Sequence, residues 1–281
     1  MKIRLFLLFQ FFLLTLNGAF SQNDSIRNME YMYVKVSAKQ QRPRIICHRG
    51  YWNTSGSAQN SIASLAKAQE LQEKYGNVIY GSEFDVWITT DNVVVLNHDG
   101  IIDGINIENS NYKSIKNKVL ENGEKIPTFA DFLEQGRKNT DVKLICEIKT
   151  HNSRENNNRA VDAAVKMVKN AGMEDQVEYI AFDWENCLRI HELAPNAIVG
   201  YLSGDKTPQE SFDAGVMCLD YNMYPWKNNI AWIKQARSLG MFSNVWTVNA
   251  VADMKYFIEL GADFLTTDNP VALKDLLEQR K

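Results

Sequence analysis

The chain has 281 residues, of which 45% are hydrophobic and 11% aromatic, enough for one large domain or two small ones around a buried core. This composition excludes disorder for most of the chain. With 31 basic and 34 acidic residues the formal net charge is -3, so there is no global positive field to attract nucleic acid or an anionic membrane. The four cysteines form no C-x-x-C pair, which disfavours a zinc or redox centre built on cysteine. These properties favour a small-molecule ligand.

Residues 1–21 have the composition of a secretory signal peptide. Two basic residues precede an apolar run over residues 5–16, and Ala19 and Ser21 provide the small side chains of a cleavage site after Ser21. The run is shorter than the roughly 20 residues that cross a bilayer. We therefore expect cleavage, a single domain over residues 22–281, and a secreted or periplasmic protein. A retained amphipathic anchor is the alternative.

From Arg44 onward, short runs rich in β-branched residues alternate with helical patterns, which predicts parallel strands joined by crossover helices. The predicted strands are 44–48, 79–86, 143–149, 177–182, 198–202, 216–220, 243–248 and 263–267. The predicted helices are 61–75, 128–138, 159–171, 185–193, 229–239 and 251–260. This repeat matches an α/β fold, the (β/α)8 TIM barrel. A doubly wound open sheet is the alternative, weakened because no G-x-G-x-x-G follows the first strand.

One further strand does not fit this alternation. Val93 to Leu96 follows the second strand after only four turn-like residues, whereas a parallel crossover needs about a dozen. We therefore predict an antiparallel hairpin extension of strand two, which returns His98 to the barrel rim. Residues 99–127, rich in Asn, Gly and Lys, form a short insertion. Residues 156–158 and 203–211 are predicted to be surface loops.

Three acidic residues fall near the predicted carboxyl ends of strands, where barrels of this kind carry their active sites. Glu83 and Asp85 lie two residues apart on strand two, and Glu147 lies two residues before Lys149 on strand three. Because side chains alternate along a strand, each pair shares one face, and one lysine cannot neutralise three carboxylates. Oxygen ligands suit one divalent cation, Mg²⁺ or Ca²⁺, better than zinc. A structural network of these acids with Arg and Lys is the alternative.

Two of the four histidines, His48 and His98, fall beside this predicted metal site. Two imidazoles suit a reaction that takes a proton from one oxygen and gives one to another, because both titrate near neutral pH. Arg49 and Lys149 add positive charge that would bind a phosphate. The site is therefore predicted to catalyse phosphoryl transfer. The other two histidines have no such companions and are predicted to be surface or structural residues: His151 and His191.

Several strings in the chain match the pattern of one enzyme family in order. They are ICHRG at 46–50, EFDVWITTD at 83–91, VVLNHD at 94–99, EIK at 147–149, WTVN at 246–249, GAD at 261–263 and TDNP at 267–270. The chain thereby resembles the glycerophosphodiester phosphodiesterases. The resemblance implies a distorted TIM barrel, a divalent metal on the three acids, and the two histidines as an acid–base pair.

The resemblance also implies a reaction. The substrate would be a glycerophosphodiester, cut to glycerol 3-phosphate and an alcohol. The glycerol 2-hydroxyl would attack phosphorus. We assign His48 to take its proton and His98 to protonate the departing alcohol, and the reverse assignment of the two histidines stays open. Water would then open the cyclic phosphate with the roles reversed. Asp99 either orients His98 or caps a turn, and these two interpretations stay open.

The chain departs from the family pattern in ways that affect substrate choice. Gln59 stands where the family carries a glutamate, so one negative charge is lost beside the site and a shifted substrate preference is expected. The segment after Asp99 also differs, which leaves the alcohol open. Trp246 is expected to offer a flat face to glycerol or a sugar. Three further aromatic residues either wall the pocket or pack in the core: Phe182, Tyr224 and Trp226.

Two other functions remain open at this point. One is a phospholipase C-like or D-like phosphodiesterase for lipid or lysolipid substrates, which would need an exposed apolar or basic rim. The other is a catalytically silent module that binds phosphodiesters or phosphorylated glycans. We expect a small-molecule phosphodiester as partner, with no nucleic acid and no stable membrane insertion, and we make no prediction of oligomeric state.

Overall fold

The computed structural model describes residues 42–279, and the predicted signal peptide lies outside them. Within this range, eight parallel strands close into a barrel. Numbered along the chain, they are β1 (Arg44–Cys47), β2 (Ile79–Ile88), β6 (Lys143–Ile148), β7 (Val177–Ala181), β8 (Val199–Tyr201), β9 (Cys218–Asn222), β10 (Phe242–Trp246) and β11 (Phe264–Thr267). Because β1 pairs with both β2 and β11, the sheet closes on itself. The TIM barrel prediction is therefore confirmed, and the open sheet is excluded.

All eight predicted barrel strands are present, each end within two residues of the prediction. The predicted hairpin is also present: β3 (Val94–Leu96) runs antiparallel to the end of β2, with Trp87 opposite Val95. The insertion after it contains a small second hairpin of β4 (Ile101–Ile102) and β5 (Ile105–Asn106).

Helices surround the barrel. They are α1 (Ile62–Tyr75), α2 (Tyr112–Ile115), α3 (Phe129–Gly136), α4 (Arg154–Ala171), α5 (Trp184–Leu193), α6 (Pro208–Asp213), α7 (Met223–Asn228), α8 (Trp232–Ser238), α9 (Val251–Leu260) and α10 (Pro270–Glu278). The six predicted helices are confirmed, though some of their ends differ. No helix in the described range is long and apolar enough to cross a membrane.

Two predicted surface loops are wrong in part. Helix α4 begins at Arg154, so residues 156–158 are helical, because the Ser153 side chain caps the helix by accepting from the Asn156 amide. Asn157 is buried there, where its Oδ1 accepts from the His151 amide. The segment 203–211 includes the start of α6, where Thr207 and Glu210 form a capping box and Pro208 is the first helical residue.

The main core lies between the barrel and its helices. Phe84 on β2 is fully buried, with its ring centroid 4.2 Å from that of Phe132 and 5.6 Å from that of Phe129, both on α3. Phe84 therefore points outward towards the helices, as predicted, which leaves its neighbours Glu83 and Asp85 facing the barrel interior.

The insertion is fixed to the barrel by its own small core and by one capping contact. Five buried apolar residues form that core: Val95, Ile102, Ile107, Ile115 and Ile126. The Glu124 carboxylate accepts from the backbone amides of Ile62 and Ala63, at 3.0 and 3.2 Å, at the start of α1. A carboxylate is favourable at a helix amino terminus, so this contact holds the insertion beside residues 58–61.

Candidate active site

Three buried carboxylates converge at the carboxyl ends of β2 and β6. Glu83 and Asp85 come from β2, Glu147 comes from β6, and one oxygen of each lies within 4.8 Å of the other two. The parallel register brings them together, because Asp85 lies directly opposite Glu147. The sequence prediction that these three residues cluster therefore agrees with the geometry.

The electrostatics of this cluster are dominated by burial and by the mutual repulsion of the acids. Burial, with the charges of Asp85 and Glu147, raises the pKa of Glu83 well above its ordinary value. Burial, with the charge of Asp85, raises the pKa of Glu147 to about 8. Lys149 Nζ lies 2.8 Å from Glu147 Oε1 and 3.2 Å from Asp85 Oδ1, so one ammonium serves two carboxylates. Glu83 Oε1 is buried and accepts no hydrogen bond from any described residue. Oxygen donors with uncompensated charge are compatible with a divalent cation.

Two groups from the β1–α1 segment hold the acids in place. Asn60 Oδ1 accepts from the Asp85 amide at 3.0 Å, and Asn60 Nδ2 donates to Asp85 Oδ2 at 2.9 Å. Its φ of 57° is a left-handed value that asparagine tolerates better than most residues. The Arg49 amide donates to Glu83 Oε2 at 2.7 Å. The sequence alone did not indicate this role for Asn60, which lies next to Gln59 just before α1.

His48 is anchored by Asp268, a carboxylate within the TDNP string whose role was not predicted. His48 Nδ1 lies 2.7 Å from Asp268 Oδ1, which also accepts from Trp52 Nε1 at 3.0 Å. Asp268 Oδ2 accepts from Asn249 Nδ2 at 2.6 Å. The barrel register explains this pair: Cys47 and Thr267 lie opposite each other at the ends of β1 and β11, so the residues that follow them, His48 and Asp268, are neighbours.

His98 has its own acidic neighbour at the rim. His98 Nδ1 lies 2.7 Å from Asp99 Oδ1, which favours the interpretation that Asp99 orients the imidazole. Trp87 Nε1 donates to the His98 carbonyl at 3.3 Å. Burial lowers the pKa of His98, and the positive charges of Lys149 and Arg49 lower it further against the opposing effect of Asp85. The imidazole is thus within electrostatic range of the acidic cluster.

The other predicted site residues occupy different surroundings. Arg49 Nη1 donates to Gln59 Oε1 at 2.6 Å, and Arg49 Nε lies 3.8 Å from Asp85 Oδ2. Trp246 Nε1 donates to the Asp220 carbonyl at 2.8 Å, and its ring meets that of Phe182 edge to face. Of the remaining aromatic candidates, one is a buried core residue and the other is exposed: Trp226 and Tyr224 respectively.

The two histidines predicted to be surface or structural residues make no hydrogen bond with the three acids. His151 is buried, accepts from the Ile88 amide at Nε2, and contacts the Lys149 carbonyl through Nδ1 at 2.8 Å. These contacts require a neutral ring protonated at Nδ1, consistent with burial lowering the pKa of His151. His191 lies on α5, and its buried Nδ1 has no hydrogen-bond partner among the described residues.

A pocket of about 260 Å³ opens beside His98 and Arg49. Besides Arg49, three segments of the chain form its walls. These are residues 58–60 before α1, residues 97–99 after β3, and the insertion at Ile102 and residues 119–121.

Known proteins match the chain over the same residues. The glycerophosphoryl diester phosphodiesterase family matches residues 48–272, which include both histidines and all three acids. The chain belongs to this family. The predicted resemblance is thus confirmed, and the protein is an enzyme of the phosphoric diester hydrolase class.

The chain is also similar to individual known proteins. A crystal structure of a glycerophosphodiester phosphodiesterase from Parabacteroides distasonis is 40% identical, covers 85% of this chain and 98% of its own, and superposes with a TM-score of 0.82. A curated glycerophosphodiester phosphodiesterase from Caldanaerobacter subterraneus subsp. tengcongensis is 25% identical over 254 residues, covering 84% of this chain and 98% of its own. A phosphodiesterase from Oleispira antarctica, solved with the product sn-glycerol-3-phosphate, is 20% identical, covers 84% of this chain and 97% of its own, and has a TM-score of 0.70.

Proposed function

We propose that the enzyme hydrolyses glycerophosphodiesters to glycerol 3-phosphate and an alcohol, using one divalent cation and the acid–base pair His48 and His98. The observation that carries this proposal is the arrangement at the barrel mouth. Three buried carboxylates converge there, and each of the two imidazoles has its Nδ1 next to an aspartate. The Oleispira relative holds sn-glycerol-3-phosphate, which supports a glycerol phosphate product for this chain as well.

Glu83, Asp85 and Glu147 would hold the cation. Their oxygen donors suit Mg²⁺ or Ca²⁺, and the buried Glu83 Oε1 is available to such an ion. When bound, the cation would offset the mutual repulsion of the acids and supply Lewis acidity towards a phosphate oxygen.

His48 would act as the base. With Asp268 accepting a hydrogen bond from Nδ1, the Nε2 atom of the neutral ring carries the free lone pair. It would take the proton of the glycerol 2-hydroxyl as that oxygen forms a bond to phosphorus. Asp268 would then stabilise the imidazolium, because a carboxylate hydrogen-bonded to a cationic ring forms a charge-assisted pair.

His98 would act as the acid. As the bond from phosphorus to the alcohol oxygen breaks, His98 donates a proton to that oxygen and leaves a cyclic phosphate on glycerol. In the second step His98 takes a proton from water, whose oxygen attacks phosphorus. His48 returns its proton to the 2-oxygen, so both histidines end in their starting states.

The remaining site residues would bind the substrate. Arg49 carries a guanidinium next to the cluster and would stabilise negative charge on the phosphate oxygens. Lys149 holds Asp85 and Glu147 and adds a second positive charge. Trp246 would pack its ring against the carbon face of glycerol.

The proposed function is tested by turnover of a panel of glycerophosphodiesters with added Mg²⁺, with Ca²⁺ and with EDTA. We expect turnover with a divalent cation, loss of turnover in EDTA, and a transient cyclic phosphate by ³¹P NMR. His98→Ala should lower kcat by about 10²–10⁴-fold without lowering Tm, because a rim histidine adds little to the core. His191→Ala, a histidine on α5 outside the site, is the matched control and should keep full activity.

The same panel contains the outcomes that would contradict the proposal. Activity of His98→Ala and His48→Ala close to that of the wild type would remove the histidines from the mechanism. A lysophospholipid belongs in the panel, and turnover of that substrate alone would indicate the phospholipase-like alternative. Absence of any metal-dependent turnover would indicate a binding module.

The predicted signal peptide adds a proposal about location. Cleavage after Ser21 would release the enzyme to the periplasm or the medium. Free glycerophosphodiesters outside the cytoplasm would then be its substrates.

A further inference from the structure

We propose that the pocket beside His98 receives the departing alcohol and selects an uncharged polyhydroxyl alcohol over a cationic one. This inference rests on the proposed function and names its substrate class. The pocket is about 260 Å³, which is several times the roughly 30 Å³ that a water molecule occupies in the liquid. It therefore has room for an alcohol larger than methanol or ethanol.

The residues that line the pocket indicate which part of the substrate it binds. His98 and Arg49 line it, whereas none of the three acids of the cluster does. In the proposed reaction His98 protonates the alcohol oxygen and Arg49 faces the phosphate. A group bound in this pocket is thus attached to phosphorus on the side of the proton donor, which is the side of the departing alcohol.

The positive charge of Arg49, which lines the pocket, disfavours a bound cation. The Arg49 guanidinium gives its Nη1 hydrogen bond to the neutral amide of Gln59, and its buried Nε has no hydrogen-bond partner among the described residues. The Asp85 oxygen that pairs with Arg49 Nε is 3.8 Å away. Arg49 therefore keeps positive charge for the phosphate, and an ammonium group in the same pocket would meet that charge.

The two acidic residues that line the pocket, Asp99 and Glu121, do not outweigh the positive charge of Arg49. Asp99 Oδ1 is engaged by His98 Nδ1 at 2.7 Å, and its side chain is 77% exposed. Glu121 is also exposed, so water and salt screen both charges. No phenylalanine, tyrosine or tryptophan lines the pocket, so the electron-rich ring faces that bind a quaternary ammonium are missing from its walls.

The pocket instead offers the uncharged hydrogen-bonding groups of two side-chain amides. Gln59 Oε1 is occupied by Arg49, but no described residue accepts from Gln59 Nε2. Asn97 Nδ2 donates to the carbonyls of Asp99 and Ile101, which leaves its Oδ1 as an acceptor. One amide donor and one amide acceptor suit the hydroxyl groups of glycerol or inositol, because a hydroxyl both donates and accepts.

The test compares kcat/KM for four diesters that differ only in the alcohol: glycerophosphoglycerol, glycerophosphoinositol, glycerophosphoethanolamine and glycerophosphocholine. The wild type should favour the first two. Gln59→Glu adds a negative charge beside Arg49, so it should lower turnover of all four and reduce the preference for neutral over cationic alcohols by about three- to tenfold. Gln235→Glu makes the same change on the exposed face of α8 and should leave the preference unaltered.

Each alternative result has a distinct meaning. A wild-type preference for ethanolamine or choline would overturn the inference, and loss of that preference in Glu121→Gln would identify the pocket as an ammonium site. A Gln59→Glu enzyme with the wild-type order and ratio of the four substrates would show that Gln59 does not set specificity, and would also overturn it. If none of the four diesters is turned over with either cation, the proposed function fails first, and the pocket assignment fails with it.

Discussion

The pairing of His48 with Asp268 makes the replacement of Asp268 by asparagine a demanding test of the mechanism. Asp268 Oδ1 accepts from His48 and Trp52, and Oδ2 accepts from Asn249 Nδ2. Asn249 is itself fixed, because its Oδ1 accepts from Thr267 Oγ1 at 3.1 Å and from the Asp268 amide at 2.9 Å. The new amide group of Asp268→Asn must therefore turn its NH2 either towards the NH2 of Asn249 or towards His48.

Both orientations of the new amide would impair His48 as the base. Facing Asn249, two donors meet and one hydrogen bond is lost, at a cost of about 1–3 kcal/mol. Facing His48, the NH2 donates to Nδ1 and moves the ring proton to Nε2, which is the atom that must accept the substrate proton. Either way the carboxylate charge that stabilises the imidazolium is gone. We expect kcat to fall about 10²–10⁴-fold, which is about 3–5 kcal/mol of added barrier.

The assay is release of glycerol 3-phosphate measured from pH 5 to pH 9, with Tm recorded for each variant. KM should change little, because Asp268 acts through His48 and not on the substrate. Asp213→Asn, on α6, removes the same charge from an exposed site and serves as the control. A kcat within threefold of the wild type, with an unchanged pH profile, would refute the role of Asp268.

Three further predictions concern the core and the amino terminus. Burial raises the pKa of Asp220 to about 7, so the folded protein keeps a proton that the unfolded chain loses above pH about 4. Stability should therefore fall between these pH values, by at most about 4 kcal/mol, and Asp220→Asn, which keeps the acceptor for Asn244, should raise Tm more at pH 8 than at pH 5. Equal gains at both pH values would contradict this. Phe84→Ala should cost about 3–5 kcal/mol in urea unfolding, and a loss below about 1 kcal/mol would contradict the packing of β2 on α3. Sequencing of the exported protein should begin at Gln22, and a start at Met1 would contradict cleavage.

The fold was largely predictable, because the spacing of apolar residues and the length of each apolar run distinguish strands from helices in this chain. Each barrel strand is a short buried run, and the four-residue gap before Val93 admits only a hairpin. The acidic cluster was predictable for the same reason. Alternation on a strand places Glu83 and Asp85 on one face, opposite to Phe84, without knowledge of any tertiary contact.

Residues whose role depends on distant partners were not predictable in this way. Asp268 matters because β11 closes the barrel beside β1, and the sequence gives no register for a closure between its two ends. Asn60 lies in a loop, where side-chain direction follows from a backbone with positive φ and not from a period. The composition of residues 156–158 indicates a loop, whereas the Ser153 cap starts the helix before them and Asn157 is buried.

The proposal that the acidic cluster at the barrel mouth binds a divalent cation is tested most directly by calorimetric titration of Mg²⁺ and Ca²⁺ into chelator-treated protein. We expect the wild type to bind one ion per chain, and Glu83→Gln to bind at least about tenfold more weakly. Because the three acids repel one another, the same substitution should not lower the Tm of the metal-free protein. Glu174→Gln, at an exposed position outside the cluster, should titrate like the wild type. Absence of saturable binding by the wild type, or an unchanged titration of Glu83→Gln, would contradict a metal site at these residues.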